Sequence, residues 1–545
     1  MLPSILARQL QIGIGDYIET TFPMTNEPFR NSMKKFVSTK DAIYHEPYFT
    51  VRMPFRTYTG KNNFFEAIHS EYAPYVHQAK AFIRLTGNDG ASTLIATGTG
   101  SGKTECFLYP ILEYCYKHRF EKGIKALIIY PMNALASDQA NRIAKLIYNS
   151  PELRGNVTAG MYVGGHSKNA NVVMAKDGIV TDKDTMIHNP PDILFTNYKM
   201  LDYLLVRPKD AQLWRNNSAE TLKYIAVDEL HTFDGAQGTD LACLLRRLKN
   251  RLGIQGGHLC CVGTSATMGS KDNAQTILKY ASEIFGEPFD EETAIVTEDR
   301  LTYSEFLDGV TISEFSVPNR DDISAMDLAI EEDNADEYIK ITTKAWFPYF
   351  SEDILTNTGK IALSKLLPAH TFFQSLIAVV NGNFCQPAFV TEELKSSYTE
   401  LNEITKNEAD TLIESILALV SWARTGTEGK LRPFLNVHVQ LWMKELRRLL
   451  GKVSPDEVNY AIESDLNRNQ RKQYLPVLTC RDCGATGWVS HLNERQNVSL
   501  PDLGAFYNKF FQFEDGIAAM FPYNQDDETI QYANKSKLCP NCLNV

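Results

Sequence analysis

A chain of 545 residues has room for three or four structural units and a large buried core. Its 43% apolar and 22% charged residues are those of ordinary globular protein, and a net charge of −11 counts against coating nucleic acid by bulk charge while allowing a local basic groove. Ten scattered cysteines, only four of them in close pairs of metal-ligand spacing, argue against a secreted disulfide framework, and no signal peptide or run of about 18 apolar residues occurs, so a cytoplasmic protein with no membrane partner is expected.

Residues 1–70 combine a helical start (2–21) with aromatic-rich segments such as Tyr48-Phe49-Thr50-Val51, and are expected to form an N-terminal extension packed on the next domain. From 71 to 285, short β-type runs at 93–97, 126–130, 158–163, 193–196, 224–227 and 259–264 alternate with amphipathic stretches at 104–118, 135–148, 199–206, 236–252 and 272–284. That alternation predicts an α/β fold, a mainly parallel sheet with helices on both faces, whose ligands sit at the carboxyl ends of the strands. Residues 286–475 show long helical patterns (361–381, 408–424, 436–451) and are expected to form a mostly helical accessory region, whether clamp, partner platform or spacer. Two basic stretches, Arg246-Arg247-x-Lys249-x-Arg251 and Lys444-x-x-Arg447-Arg448, either touch phosphates or snorkel at helix ends.

The strand at 93–97 runs straight into Thr97-Gly98-Thr99-Gly100-Ser101-Gly102-Lys103-Thr104. Three glycines let the backbone curl so that successive N–H groups face an anion. Lys103 supplies a point charge for the β- and γ-phosphates, Thr104 a hydroxyl for Mg²⁺, and the following helix its N-terminal dipole. The first position of this phosphate-loop pattern is Thr97 where Gly or Ala is usual. Downstream, Tyr224-Ile225-Ala226-Val227-Asp228-Glu229-Leu230-His231 reads as a buried strand ending in two acids. Asp228 is placed to hold Mg²⁺ through its water shell, Glu229 to orient or deprotonate the attacking water, and His231 to link the site to whatever moves when phosphate leaves. At the next strand end, Ser265 and Thr267 are small hydroxyl residues able to hydrogen-bond the acidic pair. Upstream of the loop, the Gln78 amide matches the donor and acceptor on the adenine edge.

Gln78, the loop 97–104, Asp-Glu-Leu-His at 228–231 and Ser-Ala-Thr at 265–267 together resemble the first motor domain of superfamily 2 helicases of the Asp-Glu-x-His kind, a RecA-like fold. The wording from Asp228 to Thr239 resembles the large bacterial helicases of anti-phage systems, of the Druantia and DISARM types. The resemblance is specific over 71–285 and weaker elsewhere. It implies that two further turns face nucleic acid: one with Pro131, Met132 and Asn133, the other with Thr196 and Asn197. In that family such turns meet strand phosphates without reading sequence. It also implies DNA more than RNA, a single tracking strand, and partner proteins of a defence system. A second RecA-like domain carrying an arginine finger is not found after residue 285, so the chain is expected to be the N-terminal part of a longer protein or to receive that domain in trans.

The four paired cysteines form two C-x-x-C knuckles, Cys480/Cys483 and Cys539/Cys542, expected in a zinc-ribbon-like module over 476–545. Two such knuckles facing each other make a closed, structural Zn²⁺ site, although the gap between them is longer than usual. A redox pair is the alternative. The expected activity is ATP-dependent helicase or translocase action. The rival reading is a nucleotide-dependent scaffold that binds nucleic acid or a partner without translocating.

Overall fold

The computed structural model describes residues 3–522 apart from 40–41, 46, 71, 87–89, 99, 165–169, 266–273, 291–292, 314–316, 428–429, 455–456, 493–497, 500–501 and 513; the side chains of 3–4, 7, 133–137, 430 and 498–499 also fall outside the description. The chain divides into two compact units, Phe55–Leu301 and a discontinuous one made of Met1–Pro54 with Thr302–Val545.

Phe55–Leu301 is built on seven parallel strands: β1 (Thr93–Ala96), β2 (Ala126–Tyr130), β3 (Ala159–Tyr162), β4 (Ile193–Asn197), β5 (Tyr224–Val227), β6 (Cys260–Ser265) and β7 (Ile295–Thr297), in the order β3-β4-β2-β5-β6-β1-β7. The strands are short unbroken apolar runs because both faces of the sheet are covered. In β2, Leu127 and Ile129 enter one core, shared with Leu201, Leu245 and Ile284 of helices α4 (Tyr198–Val206), α5 (Gly235–Leu252) and α6 (Ala274–Phe285). Ala126, Ile128 and Tyr130 enter the other core. They are joined there by Ala81, Phe107 and Ile143 of helices α1 (Val76–Thr86), α2 (Lys103–Lys117) and α3 (Asn133–Asn149). Each fully buried Leu or Ile contributes roughly 1.5–3 kcal/mol, so the two-sided pattern fixes the layer order. Lys125, fully buried before β2, is neutralised by Asp192 at 2.5 Å and donates to the Glu121 carbonyl at 2.7 Å.

All six expected strands form, within one or two residues of their expected ends, and β7 adds a seventh beyond the boundary expected at residue 285. It was missed because only three residues of it pair, with β1.

In the discontinuous unit, helices Arg320–Glu331, Ala335–Trp346, Asn357–Leu366, Thr371–Val380, Pro387–Leu394 and Lys406–Trp422 surround a core containing Trp346, Phe372, Leu412 and Ile416. Residues 1–54 belong to this unit: Ile5 joins that core, and Tyr48–Arg52 pairs antiparallel with Asn436–Gln440. The helix expected at 436–451 is therefore corrected. Val437 and Val439 alternate with polar residues along a strand, and Leu449–Lys452 is a second strand. Leucines at 441, 446, 449 and 450 had imitated helical spacing. The expected boundary at 476 falls inside Tyr474–Thr479, which belongs to a six-stranded antiparallel sheet with Leu449–Lys452 and Thr486–Leu492.

Candidate nucleotide site and nucleic-acid face

The loop after β1 turns on Gly100 (φ +79°) and Gly102 (φ +75°), both left-handed. A Cβ at Gly102 would stand 2.3 Å from Gln78 Nε2, so any larger residue there would displace that amide. Around the loop, Ser101 Oγ donates to Thr97 Oγ1 at 2.8 Å and Gln78 Nε2 donates to the Gly102 carbonyl at 3.3 Å. The Gln78 carbonyl oxygen accepts from Tyr75 N at 2.9 Å. Gln78 thus braces the loop through its amide group, with both ends of that group engaged. Thr104 is half-buried in the first turn of α2, and Thr99 lies outside the described residues.

Two loop supports escaped the sequence reading. His77 is buried with Nε2 2.8 Å from the Ser101 carbonyl oxygen, and burial pushes its pKa below the ordinary value. Glu298, just past β7, accepts from Gly98 N at 3.3 Å and is gripped by Arg300 at 3.1 and 3.2 Å. Neither carried a signal: His77 belongs to none of the motifs above, and Glu298 fell beyond the expected domain boundary.

Opposite the loop, the tips of β5 and β6 present the acids. Lys103 Nζ meets Glu229 Oε1 at 2.8 Å, although 126 positions separate them. Thr264 Oγ1 donates to Asp228 Oδ1 and accepts from Glu229 N at 3.1 Å. Thr264, one residue before Ser265, therefore makes a bond to the acidic pair of the kind expected of Ser265 and Thr267. The register supplies the signal: Val227 pairs with Gly263, so the next residues outward are Asp228 and Thr264. Ser265 bonds His231, with Oγ and Nδ1 3.1 Å apart, and His231 Nδ1 lies 3.4 Å from Glu229 Oε2. Thr267 lies outside the described residues. Glu229 holds φ +50°, a left-handed position that a non-glycine residue occupies only where its surroundings impose it. Burial raises the Asp228 carboxyl, partly opposed by the Thr264 bond.

One lysine facing two carboxylates is a poor site for a bare phosphate, because the acids repel it. It suits a phosphate chain carrying a divalent cation, which Thr104 and Asp228 have the oxygen chemistry to hold. The residues present fit a nucleoside triphosphate with Mg²⁺.

Beside this site, Pro131, Met132 and Asn197 line a groove of about 530 Å³ together with Gly164, Tyr198, Lys199, Met200, Tyr203 and Gln237. Met132 is 61% exposed. Asn197 caps α4, its Oδ1 accepting from Met200 N at 2.7 Å. Thr196 does not reach the groove: it is fully buried and its hydroxyl donates to the Tyr162 carbonyl at 2.7 Å, which corrects the role expected of its side chain. Asn133 opens α3, and its side chain lies outside the description. The basic end of α5 is occupied elsewhere. Arg247 pairs with Asp202, Arg246 donates to the Glu283 carbonyl, Lys249 meets Glu287 at 2.7 Å and Arg251 donates to the Leu205 carbonyl. In the other basic stretch, Lys444 pairs with Asp465 and Arg447 and Arg448 with Glu445.

The geometry matches what a family comparison finds: residues 75–276 match the DEAD/DEAH box helicase family. This segment is a DEAD/DEAH box helicase domain. It contains Gln78, the phosphate loop, both acids and the groove. Across 76% of its length the chain is 24% identical to the Druantia protein DruE of Escherichia coli (strain UMEA 4076-1), and across 36% it is 30% identical to the uncharacterized ATP-dependent helicase YprA of Bacillus subtilis (strain 168). It spans 28% of the first relative and 23% of the second. Among solved structures, the DUF1998 helicase MrfA bound to DNA and AMPPNP aligns over 56% of this chain and 42% of its own, at 20% identity and a TM-score of 0.35.

Among the described residues no helix is long and apolar enough to cross a membrane, and no cluster of three or more metal-ligating side chains occurs. Cys480 and Cys483 sit in the turn between Tyr474–Thr479 and Thr486–Leu492, where Gly484 N donates to the Cys480 carbonyl at 2.9 Å. Backbone N–H groups of Cys483 and Asp482 draw the Cys480 thiol below its usual range. Cys539 and Cys542 lie outside the described residues.

Proposed function

We propose that this chain carries the first motor domain of an ATP-dependent nucleic-acid translocase or helicase, acting on a single strand of DNA in preference to RNA. The observation that carries the reading is the meeting of Lys103 with Glu229 beside Asp228 at the strand tips. When bound, Mg²⁺ screens the phosphate charge between Thr104 and Asp228. Lys103 leaves Glu229 to take the terminal phosphates; Glu229, so released, holds the attacking water and accepts its proton. His231, bonded to Ser265, lies in the line from that proton to β6. The strand lies along the groove of Pro131, Met132 and Asn197. A second RecA-like domain, in cis or in trans, supplies the arginine finger. On the resemblance and the similarity to DruE, the role is cytoplasmic anti-phage defence with partner proteins of such a system.

The deciding measurement is ATP hydrolysis by the full chain with and without single-stranded oligonucleotides. The expected result is stimulation of at least about tenfold by DNA, and less by RNA. The scaffold reading keeps one support: among the described residues the sheet of Phe55–Leu301 is the only parallel one. Nucleotide binding without any stimulated turnover would favour it.

We further propose that Cys480 and Cys483 form half of a structural Zn²⁺ site completed by Cys539 and Cys542. The support is the C-x-x-C spacing in a tight turn between two strands, closed by Gly484 N on the Cys480 carbonyl at 2.9 Å. Metal analysis of chelator-free protein should give about one zinc per chain; a content near zero overturns the assignment.

A further inference from the structure

Glu105 follows the lysine and threonine of the phosphate loop directly, and the chemistry described above gives it no task. It stands in the first turn of α2, close enough to the loop that a Cβ on Gly102 would lie 3.3 Å from its Oε2. That oxygen is buried without a hydrogen-bond partner, while Oε1 pairs with Arg142 Nη2 of α3. The carboxylate side chain is 19% exposed and its arginine 52%. An acid serving only the helix dipole would be left in water, where it loses nothing to desolvation. Here one carboxylate oxygen is sheltered against the loop and a single counter-charge comes from the neighbouring helix.

The two helices so joined begin at different ligands. α2 starts at Lys103, and α3 starts at Asn133, directly after the groove residues Pro131 and Met132. Below the ion pair both helices share one apolar core, with Phe107 and Ile111 from the first and Ala140 and Ile143 from the second. A helix packed in this way moves as a rod, so a displacement at the position of Arg142 is carried to its first turn.

We propose that the Glu105–Arg142 ion pair transmits the state of the phosphate loop to α3 and so to the strand-binding turn at Pro131 and Met132. The two residues touch neither ligand; they are positioning residues that make nucleotide and strand binding interdependent. The inference rests on the motor reading above.

The test is the affinity of the full chain for a fluorescein-labelled oligo(dT), read by anisotropy with and without saturating AMPPNP. Linked sites shift each other's affinity by about 5–150-fold, and the unmodified chain is expected to fall in that range. Glu105→Gln and Arg142→Gln should each bring the factor to within about twofold of one, with oligonucleotide affinity in the absence of nucleotide unchanged. The double variant should match either single one, because both break the same pair. Arg142→Lys, which keeps the charge, should retain at least half of the coupling and shows that the site tolerates substitution. A factor preserved in either Gln variant, a double variant equal to the product of the singles, or an unmodified chain with no coupling overturns the proposal. AMPPNP titration of the unmodified chain separates the readings: no nucleotide binding removes the motor reading and this inference with it, whereas nucleotide and strand binding without coupling removes this inference alone.

Discussion

Lys103→Ala is expected to abolish tight nucleotide binding. The ammonium sits in a partly dehydrated cleft at 2.8 Å from Glu229, with 14% of the side chain exposed. Truncating one partner of a sheltered, hydrogen-bonded charge contact costs about 2–5 kcal/mol, so Kd for an ATP analogue should rise at least roughly thirtyfold. The fold should survive, because Glu229 is one-quarter exposed and takes up water when its partner leaves. Titration with a fluorescent ATP analogue, beside a thermal melt, measures both effects. A Kd within twofold of the unmodified protein removes Lys103 from the phosphate site.

Glu229→Gln should do the reverse. Loss of a positioned base typically lowers turnover about 10²–10⁴-fold. Binding is expected to hold or tighten slightly, for a reason specific to this site. Without nucleotide, Lys103 is held by Glu229, so the incoming phosphates compete with a carboxylate for the same ammonium. A neutral amide removes that competitor and leaves the side-chain volume unchanged. Single-turnover hydrolysis and equilibrium binding on the same preparation separate the two quantities. Turnover equal to the unmodified chain would strip Glu229 of its role, and a large loss of affinity would mean that its main work is holding the loop.

The features that local chemistry dictates were legible in the sequence. A glycine-rich turn after an apolar run has few stable conformations, and paired acids at a strand end have few uses, so Lys103, Asp228 and Glu229 were found from short motifs. The structure then brings Lys103 to 2.8 Å from Glu229, the neighbour of Asp228. Less legible were residues whose part is set by pairing across the sheet. Thr264 bonds both acids only because β6 lies beside β5 in a register that no local pattern displays. Thr196 had looked like a groove residue, yet strand alternation turns its hydroxyl inward to Tyr162. Glu298 follows a strand too short to leave a periodic signal. The stretch 436–440 failed for a related reason: its partner, Tyr48–Arg52, lies hundreds of residues upstream, and only that partner makes it a strand.

That last pairing bears on how the protein is made. The segment Tyr48–Arg52 leaves the ribosome long before Asn436–Gln440 exists, and the whole of Phe55–Leu301 is synthesised in between. At about 5–20 residues per second the wait is roughly 20–80 s, ample time for the inserted domain to collapse on its own. Throughout that interval an apolar strand lacks its pairing partner and Ile5 lacks most of the core it joins, an invitation to wrong pairing on crowded polysomes. Biogenesis of this chain therefore favours a chaperone that holds the nascent amino terminus, and swapping the order of its segments by circular permutation should shorten the exposure.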